Sequence, residues 1–319
     1  MKKIFFASLL AFIIIIAAIS TVFYWANKAG PLYEAATISI SRGSTVRAVA
    51  KDMEAIGMID KAWLLELAAR IKKADRKLRA GEYYFPANIS IVEILEKLEK
   101  GDVFYHRITL PEGLTTQQFF SIIDMEENLT GEITVDVKEG EMLAETYTFS
   151  KDDSRDSVVI QARDALTRVL NEAWEKRKET LLEDKYQALI LASIIEKETS
   201  IPEERGLVAS VFINRLRIGM LLQTDPTVIY ALTEGKGFLG RSLKKADLQM
   251  DSPYNTYKHK GLPPTPICNV SADSIEAALN YEDTDFLYFV ADGKGGHQFS
   301  ENYDSHRKKV SEWISTIRK

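Results

Sequence analysis

Ile38-Ser-Ile-Ser-Arg-Gly43-Ser-Thr45 returns 70 residues later as Ile108-Thr-Leu-Pro-Glu-Gly113-Leu-Thr115, and this recurrence decides the fold class. Each copy reads as a short strand, a glycine turn and a helix opened by a Ser or Thr N-cap, whose side-chain oxygen can accept a free backbone N–H. The apolar positions that follow also match, Val49, Ala50 and Met53 in the first copy against Phe119, Phe120 and Ile123 in the second. The first copy continues through a helix from Ala62 to about Ile71 and a strand from Gly81 to Phe85. Ser90-Ile-Val-Glu93 is then a capping box, opening a helix that stops at Gly101. The second copy carries a strand-like piece at Glu145-Thr-Tyr147-Thr-Phe149. Two small α+β modules follow from this reading, over residues 35–104 and 105–152; chance similarity of a strand-turn-helix unit is the alternative.

Toward the N-terminus, only Ser8, Ser20 and Thr21 are polar between Ile4 and Trp25, and the run holds no charge. As a helix it would be about 33 Å long, one hydrocarbon thickness. A cleavable signal peptide is the rival, but its apolar stretch is shorter and ends in small residues, whereas this run ends in Phe23, Tyr24 and Trp25. Lys2 and Lys3 precede it, so the positive-inside rule leaves the N-terminus cytoplasmic and the rest of the chain outside. Residues 1–28 are thus expected to be a cytoplasmic tip and single-span transmembrane anchor.

Toward the C-terminus, residues 153–319 turn helical, with expected helices from Ser157 to Leu182, Tyr186 to Thr199 and Glu203 to Arg217, punctuated by Pro202 and Gly219. Beyond Gln223 the chain is rich in Pro, Tyr, Asn and Gly, as loops that hold ligands often are. Asp285 to Ala291 reads as a buried strand and Asn302 to Ile317 as a closing helix. The 41 Lys and Arg against 46 Asp and Glu form no basic run, which argues against a nucleic-acid partner. Cys268 is the single cysteine, so no intramolecular disulfide can form, and four scattered histidines give no metal-binding spacing. Neither a metal nor another cofactor is expected.

Chemistry is best placed on Leu191-Ala-Ser-Ile-Ile-Glu196-Lys-Glu198-Thr199. On a helix Glu198 falls in line with Leu191, Ile194 and Ile195, while Glu196 points over Leu189, Ala192 and Ser193. A carboxyl at the end of an apolar stripe loses hydration on ionising, so its pKa should rise toward the range of a glycosidase general acid. The alternative is that Glu198 frays into solvent or pairs with Arg205 or Arg215. Leu222-Gln-Thr-Asp-Pro-Thr-Val-Ile-Tyr230 makes Thr224 or Asp225 an N-cap with free N–H groups aimed outward. Candidate substrate contacts are Asn214, Gln223, Asp225, Thr227, Tyr230, Tyr254, Asn255 and Tyr257, which offer stacking faces and polar groups suited to sugars and N-acetyl groups. Asp292-Gly-Lys-Gly-Gly-His297 lacks the spacing of a phosphate loop and reads as a hairpin-like turn, and no Gly-x-Ser-x-Gly elbow occurs.

At these residues the sequence resembles the YceG-like endolytic murein transglycosylases. The resemblance rests on Ala192-Ser-Ile-Ile-Glu-Lys-Glu-Thr199, Val208-Ala-Ser-Val-Phe-Ile-Asn-Arg-Leu216, Leu222 to Tyr230, Tyr254-Asn-Thr-Tyr257, Gly261-Leu-Pro-Pro264 and Tyr288 to His297. It implies an α+β protein with an N-terminal transmembrane helix, a LysM-like first module and a mostly helical catalytic domain with a small β component. It further implies an inner-membrane protein facing the periplasm that cuts nascent peptidoglycan strands internally and leaves 1,6-anhydro ends on N-acetylmuramic acid. The family's catalytic carboxylate, the Glu before Thr, falls on Glu198; Glu196 is the reserve candidate. Two departures concern loop geometry: Asn269-Val270-Ser271 replaces an Asn-Pro-Gly, and Ala144 stands where a Pro is common. Glycan strands and the membrane are the expected partners, with wall synthases as candidates. A catalytically silent glycan-binding scaffold for those synthases is the competing expectation. A third, a water-using hydrolase, would need Asp225 or Glu204 as its second carboxylate.

Overall fold

The computed structural model describes residues 2–41, 43–73 and 78–317. The chain forms two compact units, Met1–His106 with Thr148–Asp152, and Arg107–Tyr147 with Asp153–Lys319.

In the first unit α1 (Lys2–Asn27) leads to β1 (Ala36–Ile40), α2 (Val46–Ala55), α3 (Ala62–Lys72), β2 (Gly81–Phe85) and α4 (Ile91–Lys100). β1 and β2 pair antiparallel with Ile38 opposite Tyr83. Gly43 takes φ +83°, where a side chain would be strained, and Thr45 then caps α2 by accepting the Ala48 N–H at 3.2 Å. Ser90 and Glu93 form the expected capping box, and Gly101 ends α4 at φ +68°. Met53, Leu65, Tyr83, Phe85, Ile94 and Leu95 are fully enclosed, each removing enough apolar surface to contribute about 1.5–3 kcal/mol.

The expected anchor is not recovered as a span: among the described residues no helix is long and apolar enough to cross a membrane. Helix α1 does form over that run, but many of its side chains lie outside the described residues. At its C-terminal end Ala26 is buried in the core shared with α3 and α4, so this end packs against protein.

The second unit holds most of β3 (His106–Thr109), then α5 (Thr116–Asp124), β4 (Leu129–Thr130), part of β5 (Thr146–Phe149), β6 (Asp153–Ser154), α6 (Arg155–Lys176), α7 (Lys185–Glu198), α8 (Pro202–Arg217), α9 (Asp225–Thr233), α10 (Ala272–Leu279), β7 (Tyr288–Ala291), β8 (His297–Ser300) and α11 (Tyr303–Ile317). The second strand-turn-helix copy has the same local chemistry as the first: Gly113 at φ +75°, then Thr115 in a capping box with Gln118. Helix α7 is apolar all round, and every residue from Ala188 to Glu196 is buried. This is the pattern of a helix at the centre of a bundle, and α6, α8, α9 and α10 pack on it. Ser193 is tolerated there because its hydroxyl donates to Ile190 O at 2.7 Å and accepts the Ile267 N–H at 3.0 Å.

Two expected elements are shorter than the sequence pattern. Helix α6 stops at Lys176, not Leu182, because Lys178 is drawn away: its N–H reaches Asn280 Oδ1 at 3.1 Å and its ammonium reaches Tyr281 O at 3.1 Å. The strand expected from Asp285 begins only at Tyr288 and is half-buried rather than buried. Its first carbonyls are taken by α8 side chains instead of a neighbouring strand: Asn214 donates to Thr284 O and Phe286 O, and Arg215 to Leu287 O. β7 pairs antiparallel with β8, the Asp292–Gly296 turn between them.

Candidate active site

Glu198 is the last residue of α7, and Thr199 breaks the helix in an extended conformation. The carboxyl follows the buried stripe of Leu191, Ile194 and Ile195 and is itself half-buried. Across from it the chain between α8 and α9 turns sharply at Gln223, whose φ of +52° is unusual for a residue with a Cβ. Two bonds hold that turn, from the Gln223 N–H to Thr256 O and from the Thr224 N–H to Thr256 Oγ1, each 3.1 Å. Thr224 is the N-cap of α9 yet makes no capping bond, because its hydroxyl donates to Glu198 Oε1. Asp225 follows, accepting the Tyr257 hydroxyl at 2.6 Å.

Burial is the largest influence on Glu198 and lifts its carboxyl above the usual carboxylate range. The Thr224 hydroxyl opposes this, the Asp225 charge adds to it, and His297 and Arg215 act in the lowering direction. The net result is a carboxyl biased to hold its proton, within reach of groups that can stabilise its anion.

Arg215 is buried, and burial lowers its own pKa. Its guanidinium donates from Nε to Leu287 O at 2.7 Å and from Nη1 to Leu222 O at 2.6 Å, tying the Gln223 turn to the start of β7. On the β7–β8 hairpin His297 sits against Glu204, Nδ1 to Oε2 at 2.7 Å, with the His297 N–H on Oε1 at 2.8 Å. A Cβ at Gly296 would stand 2.7 Å from Glu204 Oε1, so a side chain there would have to displace the Glu204 carboxylate.

Glu196 has a different environment. Its side chain is fully enclosed, with Oε2 accepting the Ser271 N–H at 2.7 Å and the Ser271 hydroxyl at 2.6 Å, and Oε1 facing Arg205 at 3.3 Å. It braces the N-terminus of α10.

The candidate substrate contacts divide in the same way. Asn214 gives both amide hydrogens to Thr284 and Phe286 carbonyls and accepts from Arg217 at 2.8 Å. Asn255 gives its hydrogens to Leu248 and Met250 carbonyls and accepts the Tyr257 N–H. Thr227 is buried between Thr224 O and Thr256 Oγ1. These three shape the loops. Gln223 and Asp225 are exposed and Tyr230, Tyr254 and Tyr257 half-buried, so these five reach the surface, and of them Asp225 and Tyr257 lie within electrostatic reach of Glu198. The Tyr230 and Tyr254 rings lie 5.0 Å apart.

Sequence reasoning missed the partnership of Thr224 with Glu198, since Thr before Asp-Pro reads as an ordinary cap. It also missed Glu139, which burial lifts above the usual carboxylate range although Oε1 accepts the Thr116 N–H at 2.9 Å and Tyr230 donates to Oε2 at 3.4 Å. A Glu before glycine in a loop carries no signal of that burial.

The model of the YceG-like family matches residues 38–312. An endolytic murein transglycosylase of Bacillus subtilis is 32% identical over 310 residues, covering 88% of this chain and 85% of that protein. A protein of the same name in Streptococcus pneumoniae is 28% identical over 328 residues, covering 88% of this chain; the chain spans 58% of that relative's length. A crystal structure of a yceG-like protein from Listeria monocytogenes superposes with a TM-score of 0.53 at 30% identity, covering 86% of this chain and 98% of that one.

Proposed function

The chain belongs to the YceG-like family, and from that premise we propose that it is a lytic transglycosylase of peptidoglycan, cutting strands internally between N-acetylmuramic acid and N-acetylglucosamine. The observation that carries this reading is the placement of Glu198: half-buried at the end of an apolar stripe, hydrogen-bonded to Thr224, with its pKa raised by burial. Protonated, it donates to the glycosidic oxygen as oxocarbenium character develops at the muramic anomeric carbon. The resulting carboxylate then takes the proton of the muramic C6 hydroxyl as that oxygen attacks the anomeric carbon, closing the 1,6-anhydro ring. One group serves as acid and then as base, work worth roughly 10² to 10⁴ in rate. The nearby Arg215 and His297 offset the anion in the interval between the two transfers.

A silent scaffold is favoured by a Glu198 open to solvent or locked to an arginine, and an enzyme by a cleft of Gln223, Asn214 and Tyr254 around it; among the described residues Glu198 is half-buried and bonded to Thr224, while the Asn214 amide is taken up by the Thr284 and Phe286 carbonyls. The first unit supports a LysM-like glycan-binding role through its β1-α2-α3-β2 order and antiparallel β1–β2 pair. Tethering to the inner membrane, with the catalytic part outside and wall synthases within reach, rests on the uncharged run Ile4 to Trp25 and the lysines before it. The test is mass spectrometry of uncrosslinked strands incubated with the full chain and with its Glu198→Gln variant. Internal fragments with anhydro-muramic ends from the wild type alone are expected. Reducing ends would mean a water-using hydrolase, and intact strands with retained binding would mean a scaffold.

A further inference from the structure

Helix α3 carries two apolar stripes, and the first unit covers only one of them. Ala62, Leu64, Leu65, Ala68 and Ala69 are buried in the core. Trp63, Leu67 and Ile71 recur at i, i+4 and i+8 on the opposite side, so they line up along the helix. Trp63 is 55% and Ile71 67% exposed, and Leu67 is half-buried. A single exposed apolar side chain needs no explanation, but a helix packed on one face ordinarily turns its polar residues outward. Here a second stripe is turned out instead.

The stripe continues onto α1. A groove of about 460 Å³ lies between Leu67 and Ile71 of α3 and Val22 and Phe23 of α1, and only Asn27 and Lys72 in its lining are polar. A second groove of about 470 Å³ shares Val22 with the first and sets Trp25 and Trp63 beside Lys28 and Lys61. Because Ala26 is buried against α3 and α4, the end of α1 and the stripe of α3 form one fixed surface.

The chemistry around that surface selects its partner. Lys28, Lys61, Arg70, Lys72 and Lys73 are all exposed along it, against Asp60 as the acid in the lining. Arg70, at i+7 from Trp63, lies on the same side of α3 as the stripe. Lys61 and Lys72 face Glu54 at 3.7 Å and Glu96 at 3.4 Å, pairs open enough to water to hold them only weakly. Lys28 stands over the Trp25 ring, 4.6 Å from its centroid. The whole chain carries a formal charge of −5, so this cationic rim runs against its overall composition. Apolar side chains for acyl chains, indoles at headgroup level and ammonium and guanidinium groups for phosphates are the needs of a lipid interface. An anionic lipid layer meets all three at once.

We propose that this face of the first unit docks on an anionic lipid layer, with α3 in the headgroup region and Trp63, Leu67 and Ile71 turned toward the acyl chains. The proposal rests on the membrane tethering read above and adds to it a second, peripheral contact that fixes the tilt of the first unit over the lipid.

Ile71→Cys in the full chain is the probe, labelled with a nitroxide; Cys268, the single native cysteine, is buried and stays unlabelled. The chain is placed in vesicles of phosphatidylglycerol and phosphatidylcholine, beside a chain labelled at Lys51, an exposed position on α2 outside both grooves. Relaxation by dissolved oxygen and by a water-soluble nickel chelate should show position 71 more open to oxygen and less open to nickel than position 51. Replacing Arg70 and Lys73 by Gln should lower the ratio of docked to undocked chain about fivefold for each charge removed. Equal nickel access at 71 and 51 in a chain that floats with the vesicles overturns the docking and leaves the tether standing. Low access to both reagents at 71 means that protein covers the face, and it also overturns the proposal. Undiminished shielding on phosphatidylcholine alone overturns the choice of an anionic lipid. If alkaline carbonate strips the chain from the vesicles, the single-span reading fails instead and the label at 71 still decides the docking; a chain that never floats overturns both.

Discussion

Glu196 and Glu198 stand two residues apart on one helix, and the structure assigns them opposite consequences on mutation. Glu196→Ala removes the acceptor of two short bonds from Ser271 and the enclosed partner of Arg205. Among the described residues the guanidinium would keep only Asp273 and Glu112, whose side chains are 73% and 52% exposed, while its Nε already lacks a partner there. Breaking a buried pair from one side costs about 3–5 kcal/mol, since the remaining charge stays desolvated. At about 2–4 °C per kcal/mol for a unit of this size, the unfolding midpoint should drop by roughly 6–20 °C. Circular dichroism during a thermal ramp reads this directly, beside turnover of uncrosslinked strands below the transition. Glu198→Gln should leave the midpoint at or above that of the wild type and abolish turnover. The reasoning is refuted if Glu196→Ala melts with the wild type, or if Glu196→Gln stays folded and loses all turnover while Glu198→Gln retains it.

Two pH experiments follow from the same site. Because the Glu198 pKa is raised, the folded chain holds a proton that the unfolded chain has released between the ordinary and the raised pKa, so this residue's contribution to stability falls as pH rises through that window. Glu198→Gln should therefore match the wild type below about pH 4 and exceed it near neutrality; denaturant titrations at the two pH values check the sign, and an equal difference at both would refute it. Arg215 lowers the Glu198 pKa, so Arg215→Gln should move the alkaline fall in turnover to higher pH, while Arg215→Lys keeps it in place. A fall that stays put or moves to lower pH in Arg215→Gln would remove Arg215 from the account.

Local chemistry was legible wherever the governing interaction spans only a few residues. The Thr45 and Thr115 caps, the Ser90–Glu93 box, the left-handed glycines and the alignment of Glu198 with Leu191, Ile194 and Ile195 all follow from helix periodicity and from backbone groups that need a partner within one turn. Element lengths were less legible where a distant carbonyl or amide competes with the local pattern. Asn280 ends α6 early, and Asn214 and Arg215 take the carbonyls that would have extended β7. Asn214, Asn255 and Thr227 look like sugar contacts on paper because an amide or hydroxyl reads the same whether it faces a ligand or a neighbouring loop.

By itself, then, the sequence determined the α+β class, the helix ending at Thr199 with its apolar stripe, and the two carboxylates at its end. Which carboxylate is held by an arginine and a helix cap, and which is left to a lone threonine hydroxyl, was decided only when α7, α8, α9 and α10 packed together. The reason is that desolvation and hydrogen-bond partnership depend on what surrounds a side chain in space. Thr224 and Ser271 stand 26 and 75 residues from the glutamates they bind, and no spacing along the chain encodes that meeting.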